Sequence, residues 1–376
     1  MIKVENPFVT VGYVSEKYFC DRENETKRLI KEVVNGNNLT LVSTRRMGKS
    51  GLIEHCFRQK ELKNDYYLFY IDIFATKNLN DFVFQFGKNI IRQLKPFGKK
   101  AVDLFVNTLK SLKSDLTFDA MGNPILSVGL GNSVNLNQSL DEIFEYINKT
   151  DKPCIVAIDE FQQILRYPES NTEALLRTYI QQSPLNRFIF SGSQRHLIGE
   201  MFISPTRPFF ASSSMFHLEP ISLDKYIEFA QQHFSNVSKS IDKEVISNIY
   251  QKYEGITWYI QKILNKLFDM TAINETCDIT YVEPAVKYII DSFQYAYSEM
   301  VFLLPDKQLK LLIAIAKEGK ATAVTSSNFV KRHHLVSASS VQAALAGLLE
   351  KEFITCEENR YSVYNKFFGQ WLISNF

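Results

Sequence analysis

The run Asn38-Leu39-Thr40-Leu41-Val42-Ser43-Thr44-Arg45-Arg46-Met47-Gly48-Lys49-Ser50-Gly51-Leu52 leaves few choices for the fold around it. Leu39 to Val42 is a short apolar, β-favouring stretch. Ser43 to Gly48 cannot readily extend a strand, and Lys49-Ser50 opens a helical stretch to about Phe57. A strand, a glycine-ended loop and a helix beginning at Lys-Ser make a phosphate-cradling P-loop. Backbone N–H groups of Ser43, Thr44, Arg45, Arg46, Met47, Gly48, Lys49, Ser50 and Gly51, with the positive end of the helix, then converge on the β- and γ-phosphates of ATP. Lys49 adds a mobile cation, and the Ser50 hydroxyl is a ligand for Mg²⁺. The first glycine of the usual pattern is Ser43 here. If that position needs a left-handed backbone, serine costs on the order of 1–2 kcal/mol. A basic turn without a ligand is the plainer alternative, and the flanking strand and helix argue against it.

A second anchor is Pro153-Cys154-Ile155-Val156-Ala157-Ile158-Asp159-Glu160. An apolar strand ending in two acids is a Walker B pattern, delivering carboxylates to the sheet edge where ligands bind in open α/β folds. Asp159 would hold Mg²⁺ through its water shell and Glu160 would polarise the attacking water. A solvated strand end is the competing reading. Arg187 to Arg195 then reads as a strand ending in small polar residues, with Ser191 and Ser193 both candidates to sense the γ-phosphate. Arg195 and Arg207 follow, each able to stabilise charge during transfer, in cis or from a neighbouring subunit. Surface ion pairing is the alternative for both.

Around these anchors the periodicity predicts a buried strand over Tyr66–Phe74, a helix over Asn80–Lys95 and a final strand over Ser212–Leu218. Gly122-Asn123-Pro124 between apolar runs predicts a hairpin inserted within 115–135. Asn6 to Asn35 forms an approach to the P-loop. In it Asp21 is a plausible N-cap for a helix over Glu25–Val34.

At 376 residues the chain is too long for one core. A net charge of +2 gives no global pull toward nucleic acid or membrane. The five cysteines are scattered, without metal spacing, and read as reduced thiols. With no secretory leader pattern and no run of about 18 apolar residues, the expectation is a cytoplasmic protein without a membrane span.

The C-terminal part changes character. Asp224–Phe234, Asp242–Tyr253 and Thr257–Phe268 read as three helices of a lid that closes over nucleotide. From residue 305 the order is helix Lys307–Glu318, helix Ser326–His333, helix Val341–Lys351, then a two-stranded ribbon, which is the winged helix-turn-helix order. Its recognition helix offers Ser339, Ser340 and Gln342 but no arginine, and Lys331, Arg332, His333 and His334 precede it. DNA contact and a rigid packing module are equally open from these residues. The expected fold is therefore an α/β P-loop NTPase core (AAA-like parallel sheet) over residues 1–220, a helical lid over 221–300 and a winged helix over 301–376.

In combination the motifs resemble the archaeal-type AAA-like ATPases of the STAND group of P-loop NTPases, found in archaea and in bacteria such as Bacteroidetes. Phe19-Cys20-Asp21-Arg22-Glu23-Asn24-Glu25 is similar to the family's approach motif, which implies that Asp21 and Arg22 line the nucleotide. Thr44-Arg45-Arg46-Met47-Gly48-Lys49-Ser50 resembles its arginine-bearing P-loop, Ile158-Asp159-Glu160-Phe161 its Walker B and Phe190-Ser191-Gly192-Ser193 its sensor strand. Gly255-Ile256-Thr257 is similar to its lid motif, with Thr257 where proline is usual. Tyr364-Asn365-Lys366-Phe367-Phe368-Gly369-Gln370-Trp371-Leu372 resembles its C-terminal motif. The resemblance implies an ATPase whose nucleotide state arranges the lid and winged helix. Three functions stand side by side: a slowly hydrolysing Mg²⁺-ATP switch, a DNA-binding initiator-like ATPase, and a nucleotide-binding protein without turnover. The partners they imply are ATP or ADP, duplex DNA or a protein at the winged helix, and further copies of the chain as a homo-oligomer.

Overall fold

The P-loop strand and helix form as their residue types require, and the rest of the core is built around them. In the computed structural model, which describes residues 5–93, 116–118, 124–126 and 136–376, strand β1 is Leu39–Val42 and helix α2 is Lys49–Phe57, preceded by α1, Glu23–Val34. Strand β2 is Tyr67–Asp72. Strands β3 (Leu116–Phe118) and β4 (Pro124–Leu126) pair antiparallel with Leu116 opposite Leu126, the ribbon expected near 115–135. The remainder of that stretch lies outside the described residues. β5 (Cys154–Asp159), β6 (Arg187–Gly192) and β7 (Ser214–His217) complete a five-stranded, wholly parallel sheet in the order β2-β5-β6-β1-β7. β6 thus separates the P-loop strand from the acidic strand, so the two anchors are next-but-one neighbours and not adjacent.

Strand pleating divides the core between the two faces of the sheet. Ile155, Ala157 and Ile189 join Leu29, Leu52 and Ile53 of α1 and α2 on one side. Val156, Ile158, Phe188 and Phe190 join Phe82, Phe86, Phe144 and Phe161 on the other. All six residues of β5 are buried, as a central strand covered on both faces demands.

Several boundaries differ from those read in the sequence. α1 starts at Glu23 with Arg22 at the N-cap position, and no side chain caps it. Asp21 instead lies outside the helix in a left-handed conformation, φ 53°. β6 stops at Gly192, three residues short of the strand read to Arg195, and Arg195 opens a helix, Arg195–Ile203. Helix Leu136–Asn148 was not anticipated at all.

The chain divides into two compact units. One comprises Val9–Tyr226 with Gly255–Tyr259, and the other Met1–Phe8, Ile227–Glu254 and Ile260–Phe376. In the second, Phe8 sits in an aromatic cluster with Phe229, His233, Phe234 and Phe268. Helices Lys243–Lys252, Val282–Ser292 and Gln294–Phe302 belong to it, with a short parallel pairing of β8 (Ser240–Ile241) and β9 (Thr276–Cys277). The winged helix follows as helices Asp306–Glu318, Ser327–Arg332 and Ala338–Glu350, the ribbon β10 (Ile354–Glu357) and β11 (Arg360–Val363), and helix Lys366–Asn375. Ser337 caps the third helix by accepting from the Ser340 N–H, and Asn365 caps the last by accepting from Phe367 and Phe368. No helix among the described residues is long and apolar enough to cross a membrane.

The approach segment closes on α2 through His55, which is 7% exposed. Phe19 stacks on its ring at 4.6 Å. The Gln59 amide donates to Nε2 at 3.2 Å, which leaves the Nδ1 proton to donate to the Tyr13 hydroxyl at 2.9 Å. A neutral ring satisfies both partners, whereas a second proton would face the Gln59 NH₂ group. Burial holds the His55 pKa below its usual value. The unfolded chain therefore binds a proton here, below about pH 6.5, that the folded chain excludes. This contribution to stability is present above that pH and is lost as pH falls below it. The melting temperature should drop between about pH 7.5 and pH 5.5, and by less in His55→Gln, as followed by thermal denaturation in matched buffers.

Candidate functional site

The loop from Ser43 to Gly48 carries its conformational strain at Arg46 (φ 70°) and Gly48 (φ 89°). Ser43 is not among the positive-φ residues, so the serine that replaces the first glycine sits there without the expected cost. Ser43 is buried, and its hydroxyl donates to the Thr44 carbonyl at 2.8 Å. Lys49 folds back over the loop. Its Nζ donates to Ser43 Oγ at 3.1 Å and to the Ser43 and Thr44 carbonyls at 3.4 Å each. Burial lowers the Lys49 pKa, while Glu160 and Asp159 act to raise it, which places both carboxylates within electrostatic reach of the ammonium.

Asp159, 5% exposed, is the point where four elements meet. Ser50 of α2 donates to Oδ2 at 2.7 Å, and the Tyr70 hydroxyl of β2 donates to the same oxygen. Ser191 of β6 donates to Oδ1, as does the Glu160 N–H at 3.0 Å. Next to it, Glu160 occupies the left-handed region (φ 57°, ψ 40°) at the start of the 3₁₀ turn Phe161–Arg166. Its Oε2 accepts from Ser193 Oγ at 2.8 Å, Ser193 N at 3.3 Å and Gln162 Nε2 at 2.5 Å. The two candidate sensor serines thus divide between the two acids, Ser191 on Asp159 and Ser193 on Glu160.

Arg22 and the lid motif reach the loop from its outer side. Arg22, 2% exposed, donates to Glu25 Oε1 and the Glu219 carbonyl at 2.6 Å each, and to the Met47 carbonyl at 3.4 Å. Thr257, first residue of helix Thr257–Met270, donates its hydroxyl to the same Met47 carbonyl at 3.2 Å. The Trp258 N–H donates to the Arg46 carbonyl at 3.1 Å. The Arg46 guanidinium lies 4.1 Å from the Trp258 ring centroid and donates to the Tyr259 hydroxyl at 2.8 Å. Arg45 is exposed and stands over the Phe74 ring at 5.7 Å.

The two downstream arginines have protein partners. Arg195 Nη2 lies 2.6 Å from His217 Nε2 at the end of β7. Arg207 pairs with Glu173 at 3.3 Å and Glu200 at 3.8 Å. Sequence reasoning missed Tyr70, Gln162 and the Trp258–Tyr259 pair. Tyr70 was hidden in an aromatic run that reads as core, and nothing in the linear pattern points it at Asp159.

The donor set suits Mg²⁺. This cation prefers one or two protein oxygens and takes its remaining ligands from water and phosphate. Ser50 Oγ and Asp159 Oδ2 are already side by side. Among the described residues no cluster of three or more His, Cys, Asp or Glu side chains forms an all-protein cage.

The chain matches known families over most of its length. The family described as "ATPase domain predominantly from Archaea" matches residues 19–263, and "Probable winged helix domain" matches residues 295–374. No curated protein sequence matches. Among solved structures, the Walker-type ATPase PABY2304 of Pyrococcus abyssi is 17% identical with a TM-score of 0.65, covering 97% of this chain and 99% of that one. The Aeropyrum pernix ORC2 protein, in ADPNP–ADP complexes, is 14% identical with a TM-score of 0.61, covering 98% of this chain and 95% of that one. The Aeropyrum pernix ORC1 protein in complex with DNA is 11% identical with a TM-score of 0.52, covering 98% and 94%. These likenesses extend the shared fold from the P-loop core through the winged helix. With Lys49, Ser50, Asp159 and Glu160 gathered at one edge of a five-stranded parallel sheet, the chain belongs to the family of ATPase domains found predominantly in Archaea.

Proposed function

We propose that the protein is a Mg²⁺-ATP-dependent switch of the STAND kind that hydrolyses nucleotide slowly and passes nucleotide state from the P-loop into the helix beginning at Thr257. The observation that carries the ATP reading is the convergence on one edge of Lys49, with Asp159 and Glu160 in electrostatic reach, and of Ser50, bonded to Asp159. Incoming phosphate oxygens replace the Ser43 and Thr44 carbonyls as partners of Lys49, and the desolvated ammonium gains most from that exchange. Ser50 and Asp159 are the residues that would hold Mg²⁺, whose charge neutralises the β- and γ-phosphates when bound. Glu160 takes the proton of a water whose oxygen bonds to the γ-phosphorus as the bridging P–O bond breaks. Glu160 accepts from Ser193 and Gln162.

Glu160→Gln is expected to retain ATP affinity and lose phosphate release by roughly 10²–10⁴-fold, while Lys49→Ala loses both. Fluorescent-nucleotide binding and steady-state phosphate release are the two measurements. Phosphate release from Glu160→Gln at the parent rate would remove the assigned base.

Coupling rests on the strap at Arg46 and Met47. Two successive P-loop carbonyls are fixed by Trp258 N–H and Thr257 Oγ1, and the Arg46 side chain stacks on Trp258. Phosphate binding acts on the N–H groups of these same peptide units, so a shift in the loop moves the start of the helix. The second tryptophan, Trp371, is buried against Phe368 and Tyr297 in the winged-helix unit. Emission from Trp258 should therefore change saturably on adding ADP or a slowly hydrolysed ATP analogue. Arg46→Ala, giving up a contact worth about 1 kcal/mol, should flatten that change while nucleotide still binds.

The winged helix supports the DNA-binding reading least. Glu318 accepts from Arg332 at 2.8 Å and from His333 at 2.9 Å, and the wing ribbon carries Glu357 at the end of β10 and Glu358 in its turn, the latter paired with Arg360. The exposed N-terminal face of helix Ala338–Glu350 offers Ser339 and Gln342 and no cation. Duplex binding rests on cations free to meet phosphate.

A further inference from the structure

Gln162 lies two residues beyond the proposed water-activating carboxylate and is 5% exposed. Its Nε2 donates to Glu160 Oε2 at 2.5 Å, while its Oε1 is buried without a hydrogen-bond partner. The orientation of the amide follows from charge. Glu160 Oε2 already accepts from Ser193, so turning the amide over would set two acceptor oxygens against each other. One orphaned carbonyl oxygen is what the bond to Glu160 leaves behind.

Gly192, the last residue of β6, makes room for this arrangement. A Cβ built at position 192 would stand 2.2 Å from Gln162 Oε1 and 3.2 Å from Ile198 Cδ1. Gly192 is not among the residues with positive φ, so its backbone does not require glycine. The space above it does. Two separated segments are thus fitted to each other, a bare position on the sensor strand and an amide beside the acidic pair, and their meeting point is the carboxylate of Glu160.

We infer that Gln162 is a positioning residue for hydrolysis: with Ser193 it fixes Glu160 Oε2 and so sets the direction in which the carboxylate meets the attacking water. A glutamate side chain turns about three torsions, and an ångström of misplacement in a catalytic group is enough to cost about 10²-fold. Three donors on one oxygen, from Gln162 and from the side chain and backbone of Ser193, remove that freedom. This rests on the reading of Glu160 as the base.

Two variants attack the same amide from opposite sides. Gln162→Met keeps length and volume and removes the donor, and Gly192→Ala leaves the donor in place and pushes it aside. Each should lower kcat for phosphate release about tenfold, a part of the roughly 10²–10⁴-fold that a general base supplies. The affinity for a fluorescent ADP analogue should stay within about twofold, because neither residue touches the P-loop. The double variant should be no slower than the slower single one, since only one interaction is there to lose. Gly192→Ala paired with Gln162→Ala restores the space and should recover any thermal stability that Gly192→Ala alone forfeits. An unchanged kcat in Gln162→Met, losses that multiply in the double variant, or nucleotide affinity that falls in step with kcat would each overturn the inference. Glu160→Gln separates the two readings. If it hydrolyses like the parent, the base assignment fails; if it is inactive while Gln162→Met is normal, only the role of Gln162 fails.

Discussion

The carboxylate of Asp159 is the constraint on which this site and the centre of its sheet depend. A carboxylate at the buried end of an interior strand is costly unless its lone pairs are filled. Here they are filled by Ser50 from α2, Tyr70 from β2, Ser191 from β6 and the neighbouring Glu160 N–H. Donors therefore arrive from both strands that flank β5 and from the P-loop helix. The strand order β2-β5-β6-β1 is what brings them there. Shift β2 or β6 by a residue and its donor turns to the opposite face of the sheet, leaving a buried carboxylate short of a partner. The same bonds that stabilise the fold also fix the carboxylate beside Ser50, where a divalent cation would dock.

A second set of bonds explains why the loop tolerates an unusual sequence. Strain is confined to Arg46 and Gly48, and the carbonyls of Arg46 and Met47 are tied to Trp258, Thr257 and Arg22. With the outer side of the loop held by those donors, Ser43 needs no left-handed backbone and can instead give Lys49 an oxygen. Thr257 answers the second departure from the family pattern. A proline there has no hydroxyl to donate, whereas threonine bonds the Met47 carbonyl directly. Residues that looked like weaknesses in the linear sequence are thus contacts in the folded chain.

What could be read from the sequence was whatever repeats locally. Leu39–Val42, Cys154–Asp159 and the Lys49-Ser50 helix start announce themselves through apolar runs and glycine punctuation, and the winged helix through the order of its elements. The partners of those residues could not be read. Tyr70 belongs to Asp159 only because β2 lies beside β5, and register across strands has no local signature. The division of Ser191 and Ser193 between two acids depended on where β6 ends. Gly192 closes the strand, and the chain turns into a helix that its short polar stretch did not announce. Asp21 was misread as a cap for a similar reason. The helix starts at Glu23 with Arg22 at its N-cap position, and the Arg22 guanidinium is committed to Glu25 in the first turn and to the Glu219 and Met47 carbonyls.

Two kinds of positioning meet at Glu160 and Lys49. Lys49 is held by neutral oxygens, one hydroxyl and two carbonyls, which a phosphate outcompetes because it brings charge into a site already stripped of water. Glu160 is held by donors, and a phosphate has no donor with which to displace them. On the proposed reading, nucleotide would reorganise the cation side of the site while the acid side stays in place. Movement would then pass outward through Arg46 and Met47, whose carbonyls bond Trp258 and Thr257, with the strand end carrying Asp159 and Glu160 as the fixed reference. A hydrolytic switch needs that division: one wall that yields to the ligand and one that holds the reacting groups in register.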